Sequence, residues 1–513
     1  MATTVTTSLG RLEGAEQGRI QVFKGIPFAA APIGPLRWMP PQRPAKWEGT
    51  RNARSFGAIA YQNRTQVGPF TAMNVAGEMS EDCLYLNIWT PDTNGAPRPV
   101  MVWIHGGGFT FGAGSQDIYH SATLAERGNV VVVTVNYRLG ALGFLRLVDI
   151  TNGRIGSTGN EGILDQIAAL KWVRDNVAEF GGDPGNVTIF GESAGGMSVG
   201  TLLASPLARG LFHKAIPQSG SCNTSGSVQK ANRTAEYVLK TLGASATNPD
   251  ALRALPPEAL LRGALLPNGL ANPALGMAYQ PVVDGRVLPK PALDSVAEGS
   301  ADGVSVMAGA TLEEWKLFTI LDPGLAKLDR VGLGARLGRR LALDVADSVI
   351  DTYEKARASR GESTAIAELF AAIESDRVFR MPGIRLSETH SRRQPRSYNY
   401  LFTWKSPAMG GVLGSCHALE LGFVFGTHRI PAMVPFCGSG PEADLLATQM
   451  QDAWLAFAKN GDPSCESIGE CSAYTESARA TMVFGEKSGA QNAPFDAERG
   501  AWDSVPGNLL GLL

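Results

Sequence analysis

Two long apolar runs dominate the hydrophobic pattern of the first part of the chain, at 98–108 (RPVMVWIHGGG) and 129–138 (NVVVVTVNYR). Their β-branched residues follow one another without polar alternation, which is typical of strands buried on both faces of a parallel sheet. The same pattern predicts strands at 186–190 (NVTIF) and 303–310 (GVSVMAGA). We therefore expect the chain to be organised around a parallel β-sheet.

Helical periodicity fills the intervals between these strands. Between Leu164 and Phe180, apolar residues recur at helical spacing until GGDPGN ends the pattern, and small residues after Ser193 predict a second helix. Amphipathic patterns predict further helices near 230–243, 249–264 and 324–374. The alternation of strand and helix predicts one doubly wound α/β sheet with helical insertions, rather than several independent domains.

Two other segments frame this core. Residues 19–42 (RIQVFKGIPFAAAPIGPLRWMPPQ) hold too many prolines and glycines for a helix or a central strand. They predict small edge strands and a wrapping loop. Residues 396–404 (RSYNYLFTW) precede a loop that carries His417.

Composition narrows the class of protein. The 513 residues are 44% hydrophobic and 18% charged, with 60 glycines and 31 prolines, which fits a loop-rich globular enzyme. Lys and Arg number 46 against 48 Asp and Glu, giving a net charge of −2. Without a basic run, the chain lacks the electrostatic footprint of a nucleic-acid binder.

Targeting signals and cysteines bear on the cellular location of the protein and on its disulfides. The start, MATTVTTSLGRLEGAEQGRI, lacks the basic and apolar regions of a signal peptide, and no stretch approaches roughly 18 consecutive apolar residues. We therefore expect a cytoplasmic protein with no membrane partner. Six cysteines are too few for a disulfide framework, and only Cys465 and Cys471 are close enough in sequence to suggest a local bridge.

Candidate chemistry begins at 191–195, where Gly-Glu-Ser-Ala-Gly matches G-x-S-x-G. In this motif a serine occupies a tight strand-to-helix turn, and the glycines relieve its steric crowding. An ordinary turn serine is the alternative. The predicted strand before Ser193 and the predicted helix after it favour a nucleophile, which would need an imidazole to take its proton.

Acyl transfer also needs hydrogen-bond donors for the oxyanion, and HGGG at 105–108 directly follows a predicted strand. Without a Cβ, the N–H groups of Gly107 and Gly108 can approach a substrate oxygen closely. The N–H of Ala194 would be the third donor. A flexible glycine turn is the alternative, but two signals in the expected chain order favour an oxyanion hole.

The base must be one of six histidines. His105 belongs to the glycine segment, and His213 fits a packing role beside the next strand. His417 lies late in the chain on a loop opened by glycines, as the order serine, acid, histidine requires. The acid should follow a strand between serine and histidine, where Glu313 and Glu314 are indistinguishable by spacing.

The chain resembles a known family. The phrases GIPFAAAPIGPLRWMPP, SEDCLYLNIWTP, VMVWIHGGGF, VNYRLGALGF, GNEGILDQIAALKWVRDNVAEFGGDPGNVTIFGESAGG and AIPQSGS look like type-B carboxylesterases, the cholinesterase-like branch of the α/β-hydrolases. They extend from about Gly25 to Gly220, and weaker matches at 306–318, 376–382, 411–426 and 453–463 continue nearly to the C-terminus. So many phrases in one order make the resemblance specific.

The resemblance implies an α/β-hydrolase fold: a large, mostly parallel sheet flanked by helices, with helical insertions over the active site. It implies one domain over 1–513, with cap segments around 60–80, 224–290 and 315–380. Ser193 matches the nucleophile, Glu314 the acid and His417 the base, while Gly107, Gly108 and Ala194 match the oxyanion donors. No cofactor or metal is implied. Glu192, Asp165 and Ser219 are interpreted as structural or supporting residues.

Departures from the cholinesterases narrow the expected substrate. Cholinesterases place a tryptophan against the quaternary ammonium, yet no tryptophan occurs between Trp47 and Trp89. Cys83 also has no upstream cysteine for the disulfide of that loop. Trp315 stands where glycine often follows the acid. The chain looks closer to the para-nitrobenzyl-esterase-like members, and we expect a serine carboxylesterase acting on small-molecule esters.

Two other functions remain as alternatives to this interpretation. The same triad supports amide or carbamate hydrolysis. A cholinesterase-like binding protein keeps the fold but loses the triad. The presence of all three triad residues argues against this alternative.

Overall fold

The computed structural model describes residues 2–64, 73–265, 277–320, 322 and 324–511. Within these ranges, thirteen strands form one sheet. They are β1 (Ala2–Thr7), β2 (Gly10–Gln17), β3 (Ile20–Pro27), β4 (Thr50–Asn52), β5 (Tyr85–Thr90), β6 (Arg98–Ile104), β7 (Val131–Val135), β8 (Gly182–Glu192), β9 (Lys214–Gln218), β10 (Ser305–Thr311), β11 (Ser397–Phe402), β12 (Ala480–Phe484) and β13 (Gly489–Asn492).

The sheet is parallel in its centre and antiparallel at both ends. Its order is β1-β2-β3-β5-β7-β6-β8-β9-β10-β11-β12-β13, with β4 paired to β2. Every pair from β7–β6 to β11–β12 is parallel, whereas the pairs from β1–β2 to β5–β7, and β12–β13, are antiparallel. Parallel neighbours need crossover connections, which place helices on the sheet faces.

The helices of the described residues follow in chain order. They are α1 (Ala122–Gly128), α2 (Gly140–Phe144), α3 (Glu161–Asn176), α4 (Ala194–Ala204), α5 (Val228–Thr241), α6 (Pro249–Arg253), α7 (Pro257–Arg262), α8 (Ala292–Ala297), α9 (Lys316–Thr319), α10 (Arg330–Leu337), α11 (Leu343–Ser359), α12 (Ile366–Ser375), α13 (Met381–Ser391), α14 (Leu421–Val424), α15 (Val434–Cys437), α16 (Pro441–Asn460) and α17 (Asp496–Gly500). A π-helical turn, Asp376–Arg380, joins α12 to α13.

The central strands are buried on both faces, as their continuous apolar sequences predict. In β6, Val100, Val102 and Ile104 belong to the core that contains α3 and α4. The alternate residues Met101 and Trp103 belong to the opposite core, with α1 and α16. Successive side chains of a strand point to opposite faces, so a two-sided core requires an apolar residue at every position.

The predicted strands and helices of the core are confirmed. The runs at 98–108 and 129–138 contain β6 and β7, and those at 186–190 and 303–310 belong to β8 and β10. The predicted helix from Leu164 to Phe180 is α3 followed by a 3₁₀ turn. The amphipathic stretch at 249–264 divides into α6 and α7, and 324–374 contains α10, α11 and α12.

The prediction of small edge strands at 19–42 is wrong in one respect. Ile20–Pro27 forms β3, an inner strand with β2 on one side and β5 on the other. Pro27 ends the strand and the remaining prolines follow it, so none removes a hydrogen bond within it. A bulge between Phe23 and Ile26 contains Gly25 at φ +64°, which accounts for the glycine.

Parts of the three expected cap segments, 65–72, 266–276, 321 and 323, lie outside the described residues. The described remainder of these segments contains α5, α6, α7 and α9–α12. All six cysteines are free, so Cys465 and Cys471 are not bridged. In the ranges given above, no helix is both long and apolar enough to cross a membrane.

Candidate active site

Ser193 occupies the single-residue turn between β8, which ends at Glu192, and α4, which begins at Ala194. Its backbone has φ +56° and ψ −123°, a strained conformation for a residue with a side chain. Two residues later, only glycine fits, because a Cβ on Gly195 would lie 2.0 Å from the carbonyl oxygen of Ile104. The turn therefore packs directly on the end of β6.

Backbone hydrogen bonds fix the Ser193 turn to the neighbouring strand and helix. The N–H of Ser193 donates to the carbonyl of Gln218 at 3.0 Å, and its own carbonyl accepts from Met197 at 2.9 Å. Gln218 ends β9, the next strand of the sheet. The serine thus has a defined backbone position, and the residue keeps partial solvent exposure.

The glycine loop after β6 packs against the same turn. A Cβ on Gly106 would lie 3.2 Å from the Cβ of Ser193. Gly107 and Gly108 have φ +103° and +59°, and a Cβ on Gly107 would lie 2.0 Å from the carbonyl oxygen of Phe111. Among the described residues, the N–H groups of Gly107, Gly108 and Ala194 make no backbone hydrogen bond, so all three remain available to a substrate oxygen.

Glu314 and His417 meet in the interior beside this turn. His417 Nδ1 and Glu314 Oε2 are 2.5 Å apart, and the Glu314 side chain is fully buried (0% exposed). The other carboxylate oxygen, Oε1, accepts a hydrogen bond from the N–H of Thr311 at 2.7 Å. Thr311 ends β10, so the sheet itself orients the carboxylate that contacts the imidazole.

Glu313 has different partners, which separates two residues that spacing could not. Its carboxylate pairs with Lys316 Nζ at 2.8 Å and accepts from the N–H of Ser415 at 2.8 Å. Glu314, and not Glu313, therefore contacts His417.

The second ring nitrogen of His417 faces another carboxylate. Nε2 lies 3.0 Å from Glu192 Oε1, although this charge contact is not an aligned hydrogen bond. In the described part of the chain, no hydrogen bond joins His417 to Ser193. Burial lowers the pKa of His417, but the Glu192 and Glu314 carboxylates outweigh it and raise the pKa to about 9.

A third glutamate completes the buried acidic cluster. Glu420 is fully buried, and its Oε1 accepts a hydrogen bond from Gln218 Nε2 at 3.1 Å. Burial raises the pKa of Glu420 to about 8, with the nearby Glu192 and Glu314 carboxylates adding to the effect. Glu420 is three residues after His417, within the segment at 411–426 that matches the family, but that match assigned it no role.

Aromatic rings cover one side of His417. The rings of Phe379 and Phe318 lie 4.7 Å and 5.2 Å from the imidazole, between centroids. Trp315 packs against Phe318 at 4.9 Å. The sequence signalled Trp315 by its position after the acid, but Phe379, from the π-helical turn, carried no comparable signal.

Two other histidines are held in structural contacts. His105 stacks on Tyr137 with centroids 4.4 Å apart, and burial lowers its pKa to about 4. His213 Nδ1 accepts a hydrogen bond from the N–H of Val187 at 3.1 Å, beside β8. No group of three or more His, Cys, Asp or Glu residues within the described ranges could hold a metal ion.

Comparisons with known proteins identify the family. The model of the carboxylesterase family matches residues 1–502. The chain belongs to this family. The para-nitrobenzyl esterase of Bacillus subtilis (strain 168) is 37% identical over 498 residues, covering 96% of this chain and 97% of the relative. The phenmedipham hydrolase of Pseudarthrobacter oxydans is 32% identical over 491 residues, covering 94% of each.

Solved structures of carboxylesterases share the fold. The Geobacillus stearothermophilus carboxylesterase EST55 at pH 6.2 superposes with a TM-score of 0.87 at 40% identity, covering 98% of this chain and 100% of that one. A structure titled PNB esterase superposes with a TM-score of 0.83 at 35% identity, covering 98% and 100%. The resemblance and the α/β-hydrolase fold predicted from sequence are confirmed. This carboxylesterase is a carboxylic ester hydrolase of the serine class.

Proposed function

We propose that Ser193, Glu314 and His417 are the catalytic triad of this carboxylesterase, and that the N–H groups of Gly107, Gly108 and Ala194 bind the oxyanion. The observation that carries the proposal is the buried 2.5 Å contact between Glu314 Oε2 and His417 Nδ1, next to a strained serine turn. A small-molecule ester as substrate and a cytoplasmic location belong to the same proposal.

Each residue has a defined task in the reaction. His417 accepts the Oγ proton as Ser193 attacks the ester carbonyl, and Glu314 stabilises the resulting imidazolium. The three backbone amides stabilise the negative charge on the carbonyl oxygen. The alcohol leaves with the proton from His417, and water then repeats the sequence on the acyl-enzyme. The reaction requires no cofactor or metal.

Hydrolysis of a p-nitrophenyl ester series from acetate to palmitate tests this proposal. We expect Ser193→Ala to lower kcat by about 10⁴-fold or more, because the nucleophile is lost while binding and the oxyanion hole remain. Ser205→Ala is the matched control: this serine lies just after α4, is buried, and its hydroxyl has no hydrogen-bond partner in the described residues. The control should keep wild-type turnover.

A Ser193→Ala variant with near-wild-type turnover would overturn the triad. If neither folded protein hydrolyses any ester of the series, amides and carbamates become the substrates to test next. The chain-length optimum of the wild-type protein gives the acyl size that the pocket accepts.

A further inference from the structure

One face of α3 lines a groove that has no part in the proposed reaction. The groove has a volume of about 400 Å³, within the range of about 300–1,000 Å³ that is typical of small-molecule sites. Leu164, Ala168 and Trp172 are four residues apart and therefore lie on one face of the helix. The turn between β1 and β2 and the loop at 40–44 supply further lining.

The groove is separate from the Ser193 turn. α4 begins directly after Ser193 and runs for 11 residues, about 16 Å, to Ala204. Leu207, which lines the groove, follows the far end of that helix. None of the residues of the proposed triad or oxyanion hole lines the groove. A molecule bound there would occupy a second site.

The floor of the groove is apolar and only partly covered. Phe28 and Trp172 line it as buried side chains. Leu164 and Ala168 are half-buried, and Leu207 is 36% exposed. Removing such surface from water is favourable and imposes no directional requirement, so this floor suits an alkyl chain.

Positive charge predominates in the lining. The charged residues that line the groove are four cations and one anion: Arg43, Lys171, Arg174, Arg286 and Asp175. Arg174 pairs with Asp175 at 2.8 Å, whereas no ion pair within the described ranges engages the other three cations, which are exposed. The lining therefore has an excess of three positive charges, in a chain whose net charge is −2.

We propose that this groove binds a carboxylate with an unbranched alkyl chain. The chain lies against the apolar face of α3, and the carboxylate is held by the unpaired cations Arg43, Lys171 and Arg286. Guanidinium and ammonium groups donate strong, charge-assisted hydrogen bonds to carboxylates. Hydrolysis of a carboxylic ester releases a carboxylate, so the ligand belongs to the chemical class of the acid product. The inference goes beyond the proposed triad and does not depend on it.

Isothermal titration calorimetry of the full-length protein with decanoate, below its critical micelle concentration, tests the inference. Hexanoate should bind more weakly, by about twofold to fourfold for each missing methylene, because less alkyl surface leaves water. Decyltrimethylammonium has the same chain with the opposite charge. It should bind about tenfold more weakly than decanoate, or less, since the cations of the groove repel it.

A double charge reversal places the site in the groove. Arg43→Glu/Lys171→Glu should weaken decanoate binding about tenfold or more, because two attractive charges become repulsive. Arg339→Glu/Lys355→Glu is the matched control, since it makes the same change at two exposed cations that do not line the groove. The control should bind decanoate like wild type. Both double variants should hydrolyse p-nitrophenyl acetate at the wild-type rate, which shows that they are folded.

Decanoate binding of wild-type strength in the folded Arg43→Glu/Lys171→Glu variant overturns the inference, because the acid then lies elsewhere, for example at the ester site. Wild-type protein that binds no decanoate overturns it as well, even if vesicles of anionic phospholipid bind to the protein. Neither result affects the proposed triad, which fails on a different observation, namely turnover by Ser193→Ala.

Discussion

At the residue scale, His417 has a carboxylate near each ring nitrogen and two tilted aromatic rings packed against the imidazole. Phe318 is half-buried and reaches the ring from α9, whereas Phe379 is almost fully buried. In the proposed mechanism His417 protonates the alcohol part of the ester, which therefore leaves next to the imidazole. Phe318 therefore lies where it can contact the departing alcohol.

We expect Phe318→Ala to lower kcat/KM for a benzyl ester about tenfold, mainly through KM, because the variant loses apolar contact with the ring of the alcohol. The methyl ester of the same acid should change much less. Phe56→Ala is the control, since Phe56 packs on Trp89 at 6.4 Å and away from His417. Equal losses for both esters would contradict a contact with the alcohol.

At this scale, the candidate site residues that belong to short sequence motifs could be predicted from the sequence. Ser193, Gly107 and Gly108 occur in short glycine-containing motifs, and all three have positive φ values in the structure. The choice between Glu313 and Glu314 depends on which carboxylate the end of β10 directs inward, and the contact of Glu192 with His417 joins residues 192 and 417 across the fold. Contacts between residues so far apart in the chain produce no periodic pattern in the sequence, so the sequence could not predict them.

At the element scale, a buried ion pair ties α3 to the segment that follows β7. Arg138 binds the Asp165 carboxylate through two guanidinium nitrogens, at 2.7 Å and 2.8 Å, and through its backbone N–H at 3.0 Å. It also donates to the carbonyl of Met39. Both side chains are nearly inaccessible, at 3% and 0% exposure. Asp165, expected to be structural, has that role in these contacts.

We expect Asp165→Asn to destabilise the protein by about 3–5 kcal/mol, since the Arg138 guanidinium is left buried without its countercharge. Asp452→Asn removes half of the Arg127–Asp452 pair, which is 37% and 27% exposed, and should cost about 1 kcal/mol or less. Urea unfolding of the two variants against wild type measures the difference. Similar small losses would show that the buried pair contributes little.

Element prediction succeeded where burial is uniform and failed where pairing depends on distant strands. The apolar runs of β6 and β7 have only one stable position, inside a covered parallel sheet. β3 is an inner strand because β2 and β5 pair with its two edges. The prolines that follow it in the sequence led instead to the prediction of an edge strand. The predicted organisation as one domain over 1–513 stays a prediction.

At the scale of the whole molecule, stability rests on packing and not on covalent cross-links. All six cysteines are free, and all but Cys465 are buried. Burial raises the pKa of Cys222 to about 12 and likewise raises that of Cys83, Cys416 and Cys437. These thiols are therefore protonated and poorly reactive in the folded protein.

We expect a thiol reagent such as Ellman's to label Cys465 first in the native protein and all six cysteines after denaturation. Dithiothreitol should leave Tm unchanged, because there is no bridge to reduce. Only four thiols in denatured, unreduced protein would reveal a disulfide and contradict this expectation.

Glu314 and His417 are 103 positions apart, and Ser193 precedes both. During synthesis, Ser193 therefore leaves the ribosome long before His417, its proposed base, and an unfinished polypeptide carries a hydroxyl without that base. With the proposed triad, ester cleavage begins only when β10 and the loop after β11 have folded and brought Glu314 and His417 together. Enzymatic turnover is thus a direct reporter of completed folding, which spectroscopic signals from helices and tryptophans are not.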